Sequence, residues 1–292
     1  MLFILVFVRH TKFIRAAAQG LTCAAMLATS SMPAWPEEPQ RVVSINLCTD
    51  QLALMLAKPG QLISVSKLGH DPDVSSMAEL ALTLPSNGSG AEEVYLLAPD
   101  LVLAGTFTAP ATLNLLKRLG IKVEKFSPAN TLSEIPERLL QMGDALGRED
   151  EAALMVARFS SELEALTAPT TTHRPRAALT YVNSYTSGNN TLAGDILRVA
   201  GFDNAATEAE IFSYGTLSLE ELVMLAPEAI IQGRNYPGAA RAEDNLNHPA
   251  LLNLKNTAVT TSLTNQDWVC GTPLILNAVQ ALQDLRLSIE AG

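Results

Sequence analysis

Five aromatic side chains, a histidine beside an aspartate, one arginine, one asparagine and two cysteines carry most of the chemistry this sequence offers. Phe107, Tyr185, Tyr214, Tyr236 and Trp268 all fall in short polar stretches between apolar runs, in a chain of which only 5% is aromatic. Broad ring faces with a few polar anchors suit a flat, largely apolar ligand. Asn46 stands at the end of an apolar run and could supply one such anchor. His70 and Asp71 suit a metal or a polar chelate group, but also an ordinary turn. Arg234 suits an anionic group on a ligand, or a surface ion pair. Cys48 and Cys270 leave three states open: a disulfide, two separate or redox-labile thiols, or a weaker metal-binding pair.

Catalysis is harder to assemble. His10, His70, His173 and His248 are scattered without zinc-ligand spacing. No strand leads into Gly-x-Gly-x-x-Gly, and neither a Gly-x-x-x-x-Gly-Lys-Ser/Thr loop nor a Gly-x-Ser-x-Gly elbow is present. The expectation is a binding protein, not an enzyme, with no cofactor and no metal site of its own. The rival is a cofactor-independent α/β enzyme. A net charge of −10 repels phosphate backbones and argues against nucleic acid.

Of the 292 residues, 48% are hydrophobic, enough for a large core or two domains. Arg9, Lys12 and Arg15 precede the small-residue run "AAAQGLTCAAMLATS", which predicts a signal peptide over residues 1–34 cut near Ala34. The alternative is an N-terminal membrane anchor. Without residues 1–34 the charge falls to −13.

From "RVVSI" (41–45) onward, apolar strands alternate with amphipathic helices: "CTDQLALMLA", "QLISVS", "DLVLAG", "ATLNLLKRLG" and "IKVEKF". Residues 149–166 lack Gly and Pro and carry Ala152, Val156, Phe159, Leu163 and Leu166 on one stripe. The same order then resumes with "AALTYV", a polar loop "NSYTSGNN", the helix "LAGDILRVAG", the strand "TAVTTSL" and a closing helix. The prediction is an α/β fold of two Rossmann-like lobes (41–147 and 175–292) joined by a long helix (148–168), with a ligand cleft between them. Cleft loops are expected at Asn46–Asp50, Leu68–Asp71, Ser86–Gly90, Thr106–Phe107, Ser184–Asn190, Ser213–Gly215, Arg234–Tyr236 and Asp267–Cys270.

"AEEVYLLAPDLVLAG" (91–105) returns as "LEELVMLAPEAIIQG" (219–233), with six identities in fifteen positions. The helix dipole alone favours Glu92, Glu93, Glu220 and Glu221 at two helix starts.

With the two Glu-helix-Pro-acid-strand units, "GDILRVAGFDN", "TNQDW" and the opening "RVVSI", the chain resembles the periplasmic binding proteins of ABC importers for cobalamin, haem and ferric siderophores. The resemblance spans about residues 41–290. It implies a monomer in the periplasm that delivers a small-molecule metal chelate to a dimeric ABC permease and its ATPase. The ferric siderophore comes first, a corrinoid next and haem last. It also implies that Glu92 and Glu220 dock the permease, while Glu93 and Glu221 are solvated neighbours. Tyr185 and Tyr214 match positions that often carry ligand-facing aromatics in cobalamin-binding relatives, and Trp268 follows Asp267 in the similar "DW" loop. Two features depart: Ser86 stands where such relatives carry Trp, and "SNGSG" lacks the Tyr that haem binders place ahead of the first Glu. A scavenger or sensor of the same fold is the non-transport alternative.

Overall fold

The apolar runs of the first half become β1 (Val42–Ser44), β2 (Leu62–Ser66), β3 (Ser86–Asn87), β4 (Leu101–Gly105) and β5 (Lys122–Phe126) in a computed structural model. The structure describes residues 38–167, 173–233, 246–263 and 265–291. The expected leader, Arg234 and Tyr236 lie outside the described residues. The helices between these strands are α1 (Leu47–Leu56), α2 (Ala78–Ala81), α3 (Ala91–Leu96) and α4 (Pro110–Arg118). The strands pair in parallel in the order β3-β2-β1-β4-β5. Helices α5 (Ile135–Leu146) and α6 (Glu149–Leu166) follow. Gly147, at φ 68°, takes the left-handed turn between them.

The second half contains β6 (Arg176–Thr180), β7 (Tyr185–Ser187), α7 (Leu192–Ala200), β8 (Asp203–Asn204), β9 (Tyr214–Thr216), α8 (Leu219–Leu225), β10 (Ala229–Gln232), α9 (Pro249–Leu254), β11 (Val259–Ser262), α10 (Asn265–Trp268) and α11 (Leu276–Ala291). Four of these strands form a second parallel sheet, β11-β10-β6-β8. The two-lobe α/β fold is therefore present. One expectation is corrected: "NSYTSGNN" is not simply a loop. Its β7 pairs antiparallel with β9, Ser187 opposite Tyr214 and Tyr185 opposite Thr216. The ribbon rests on close backbone approach. A Cβ on Gly188 would stand 2.2 Å from the Ile211 carbonyl oxygen, and one on Gly194 would stand 2.2 Å from that of Gly188.

The longest helix, α6, is more than a bare rod. Its buried Ala152 and Phe159 belong to one apolar core that also takes in Leu139 and Met142 of α5, Ile196 of α7 and Leu282 of α11. This core joins the inner faces of both sheets. Separate clusters cover the outer faces, around Val94 and Leu116 in the first half and Leu222 and Leu251 in the second.

The repeated fifteen-residue window has a shared physical logic. A residue before proline is pushed out of the right-handed helical region. Ala98 and Ala226 escape to the left-handed one, at φ 47° and 42°, ending α3 and α8. The helix carbonyls freed there are taken by arginines that start each sheet. Arg41 donates to the Ala98 and Leu97 oxygens at 3.0 and 2.7 Å, and Arg176 to those of Leu225 and Ala226 at 2.9 and 3.1 Å. The acid after the proline closes the clasp. Asp100 accepts from the Arg41 backbone N–H at 3.1 Å, and Glu228 from that of Arg176 at 2.9 Å.

Glu93 and Glu221 are also more than solvated neighbours. Glu93 accepts from the Gly88 N–H at 2.7 Å. Glu221 closes a capping box with Ser218, whose hydrogen bonds hold its carboxyl below the usual range.

Candidate functional site

In the first sheet the strand order reverses between β1 and β4, so the loops leaving those strands part and open a crevice at their carboxyl ends. Asn46 follows β1. Its side chain caps α1, accepting from the Cys48 and Thr49 N–H groups at 3.1 and 3.4 Å. Helix α1 thus starts earlier than expected, and Asp50 lies buried within it rather than in a cleft loop. Gly105, at the end of β4, lets the backbone pass Asn46: a Cβ there would lie 2.8 Å from Nδ2. Asn46, Cys48, Thr106, Phe107, Ser127 and Arg138 help wall a chamber of about 150 Å³. Phe107 is 90% exposed at its mouth.

A second chamber, of about 340 Å³, belongs mainly to the second lobe. Tyr181 stands just past β6, Tyr185 and Tyr214 on the ribbon, and Trp268 at the end of α10, all four in the wall. Tyr181 meets Trp268 edge to face, with ring centroids 6.2 Å apart and an interplanar angle of 83°. Burial lifts the Tyr181 phenol well above its usual 10.0, so it stays protonated. Trp268 is 7% exposed and also packs in the central core, whereas Tyr185 and Tyr214 are 52% and 71% exposed. The two chambers share Pro128, Ala129 and Val269 as a wall.

That wall is tied across the lobes. Cys48 and Cys270 form a disulfide with Cα atoms 5.1 Å apart, resolving the three states open in the sequence. The Leu132 N–H donates to Asp195 Oδ2 at 2.8 Å, and the Ser76 hydroxyl reaches the Gln266 carbonyl. Gly271 presses so near the first lobe that a Cβ would lie 2.5 Å from Ala129 Cβ.

Five of the expected ligand-facing residues, Asn46, Phe107, Tyr185, Tyr214 and Trp268, thus line one cleft. His70 lies apart from both chambers, with Nε2 3.0 Å from the Leu84 carbonyl oxygen. The loops at Leu68–Asp71 and Ser86–Gly90 contribute nothing to either wall. Ser127, Pro128, Arg138 and Tyr181 line the cleft although the sequence reading did not single them out. Three of them follow strand ends, where the strand-end rule would have found them; Arg138 carried no such signal. Glu92 and Glu220 are both exposed near the starts of α3 and α8. Among the described residues no group of three or more His, Cys, Asp or Glu could hold a bare metal ion. No described helix is long and apolar enough to cross a membrane.

A family model described as "Periplasmic binding protein" matches residues 42–261. A cobalamin-binding protein of Halobacterium salinarum is 30% identical over 201 residues, 67% of this chain. The matched stretch is 54% of that relative, so this chain spans about half the relative's length. A vitamin B12-binding protein of Yersinia pestis is 23% identical over 271 residues, 91% of this chain and 93% of its own. Among solved structures, the periplasmic heme-binding protein RhuT of Roseiflexus sp. RS-1 in apo form superposes with a TM-score of 0.68 at 21% identity. It covers 86% of this chain and 97% of its own.

Proposed function

Since this chain belongs to the periplasmic binding protein family, we propose that it captures a metal-chelating macrocycle in its cleft and delivers it to an ABC-type importer of the inner membrane. The observation that carries this reading is the aromatic chamber: Tyr181, Tyr185, Tyr214 and Trp268 in one wall that holds no charged side chain among the described residues. Such a wall favours a broad, flat, weakly charged ligand over a bare ion. A corrinoid fits this best, and it is what the Halobacterium and Yersinia relatives are named for binding. A corrinoid exceeds the chambers in size, so part of it lies across the mouth, where the exposed Phe107, Tyr185 and Tyr214 give it contact. The ferric siderophore, first in the sequence reading, moves to second place. A polyanionic chelate would want several cations, and the described cleft walls hold one.

Delivery rests on the two exposed acids. Glu92 and Glu220 stand in equivalent turns of the two lobes, suited to steering and registering a twofold, cationic partner. The exposed, matched pair supports delivery over a scavenger, in which only the helix dipole would favour these acids.

The test is tryptophan fluorescence. Trp268 and Trp35 are the two tryptophans, so a Trp35→Phe variant leaves Trp268 as the one reporter of the cleft. Titration with cyanocobalamin, haemin and a ferric catecholate siderophore should quench Trp268 with micromolar or tighter affinity, about −8 kcal/mol, for the corrinoid. Quenching by the siderophore alone would restore the sequence order. No quenching and no thermal shift with any of the three would remove the ligand class.

A further inference from the structure

We propose that the chamber at the switch point of the first sheet is an anion subsite, in which Arg138 receives a phosphate or carboxylate carried by the ligand. This rests on the chelate-binding reading above and adds to it which chemical group the ligand must present, and where.

Arg138 is the sole charged side chain among the described residues in the walls of both chambers. Its side chain is only 14% exposed. A guanidinium carries five N–H donors and no acceptor, and a cation withdrawn from water must be paired and hydrogen-bonded. The partners present fall short of that. One terminal nitrogen donates to Gln141 Oε1 at 3.0 Å, and the other lies 2.6 Å from Glu137 Oε1. Nε is buried and has no hydrogen-bond partner. Glu137 is 70% exposed, so solvent screens its hold on the arginine.

The arginine is nevertheless held in place. Gln141, which accepts from it, donates in turn to Glu124 Oε1 at 2.8 Å and to the Lys125 carbonyl at 2.9 Å, both on β5. A positioned, under-satisfied guanidinium beside a mainly apolar chamber is built to take a planar or tetrahedral oxyanion through its fork. In a chain of net charge −10, a single cation among the described residues of the cleft walls is a specific feature and not a general field. The ligand it selects is flat and apolar over the aromatic chamber, with one compact anionic arm reaching into the smaller one.

Two matched ligand pairs test this. Cyanocobalamin carries a phosphodiester arm that dicyanocobinamide lacks; haemin carries carboxylates that its dimethyl ester masks. Affinities are measured for the wild-type protein and for Arg138→Gln, Arg138→Lys and Glu137→Gln. The wild type should prefer the anion-bearing member of at least one pair by tenfold or more, and that preference should shrink with added salt. Arg138→Gln should abolish the preference while leaving the anion-free member within about twofold. Arg138→Lys should keep only part of it, because it retains charge without the fork. Glu137→Gln, at an exposed position that does not threaten folding, should raise the preference a few-fold by removing the competing carboxylate. Preference for the phosphodiester identifies a phosphate subsite, and preference for the free carboxylates a carboxylate one. If the wild type binds both members of each pair equally, or Arg138→Gln weakens both equally, the subsite is wrong and the chelate reading stands. If the wild type binds no member of either pair, the chelate reading fails and takes the subsite with it.

Discussion

The bond between Cys48 and Cys270 should be worth more to this protein than any single packing contact. It closes a loop of 222 residues. In the chain-entropy account, a cross-link stabilises by restricting the unfolded ensemble, and a loop of that length gives about 5 kcal/mol at 25 °C. Measured effects tend to fall at or below such figures, so a loss of about 2–5 kcal/mol is expected for the Cys48→Ser/Cys270→Ser double variant. For a chain of this size each kcal/mol moves the melting temperature by about 2–4 °C. A drop on the order of 10 °C should therefore appear in a thermal melt. Reductant added to the wild type under partly unfolding conditions should bring it to the same point, because Cys270 is only 4% exposed in the native state. The bond also ties the wall shared by the two chambers, so the double variant should lose affinity for whichever chelate the wild type binds. Peptide mass mapping under non-reducing conditions reports the linkage directly. A double variant that melts within about 2 °C of the wild type, together with Cys48 and Cys270 both alkylated as free thiols in native protein, would show the sulfurs to be unbonded and the entropy estimate to have no object.

Reversing both proposed docking acids, Glu92→Lys with Glu220→Lys, should abolish transport of bound ligand into cells while leaving affinity within about twofold, since both carboxylates are exposed and stand in neither chamber wall; normal uptake by the double variant would remove the docking role. Tyr214→Ala should weaken ligand binding by about 2 kcal/mol, roughly 30-fold, with little effect on stability, because the side chain is 71% exposed and its work is at the mouth; an unchanged titration would take Tyr214 out of the site. Asp50 is wholly buried and accepts from the Ser66 N–H at 3.0 Å, yet burial outweighs its hydrogen bonds and holds its carboxyl above the ordinary 3.8. The folded state therefore binds that proton more tightly than the unfolded chain. The stabilisation is fully present below 3.8 and is lost as pH rises through the raised value, with a slope of at most about 1.4 kcal/mol per pH unit. Urea midpoints between pH 4 and pH 7 should fall more steeply for the wild type than for Asp50→Asn; parallel curves would contradict the assignment.

The elements that carry long apolar runs were legible in the residues. Strands such as Leu101–Gly105 and helices such as Leu192–Ala200 need no distant partner to be recognised, only hydrophobic period and stops. The ribbon of Tyr185–Ser187 and Tyr214–Thr216 was not, because two polar three-residue segments pair only through contacts that sequence periodicity does not express. Site residues behave the same way. Asn46, Phe107, Tyr185, Tyr214 and Trp268 follow the general rule that strand ends make clefts, and they meet in one. Arg138 sits in the first turn of a helix, away from any strand end, and only the fold shows that this turn of α5 borders the switch point. The sulfur pairing was undecidable for a simpler reason: proximity across 222 residues is a property of the folded core.

The repeated window shows how a short motif can hold a brief helix in place. Helices of six and seven residues, the lengths of α3 and α8, are marginal by themselves. Each is pinned at both ends. Glu93 or the Ser218–Glu221 box holds the start, and an arginine from the neighbouring sheet clasps the finish. Glu92 and Glu220 are therefore fixed relative to their own sheets, not free on fraying turns. The sheets, in turn, share one apolar core through α5 and α6 and are joined by the Cys48–Cys270 bond and the Leu132–Asp195 hydrogen bond. Large hinge closure would have to break that core, so the separation of the two acids is expected to change little when the cleft fills. A partner that reads these acids then learns position and orientation from them. Under the proposed function, what would distinguish the loaded protein is a filled cleft mouth, where Phe107, Tyr185 and Tyr214 stand exposed.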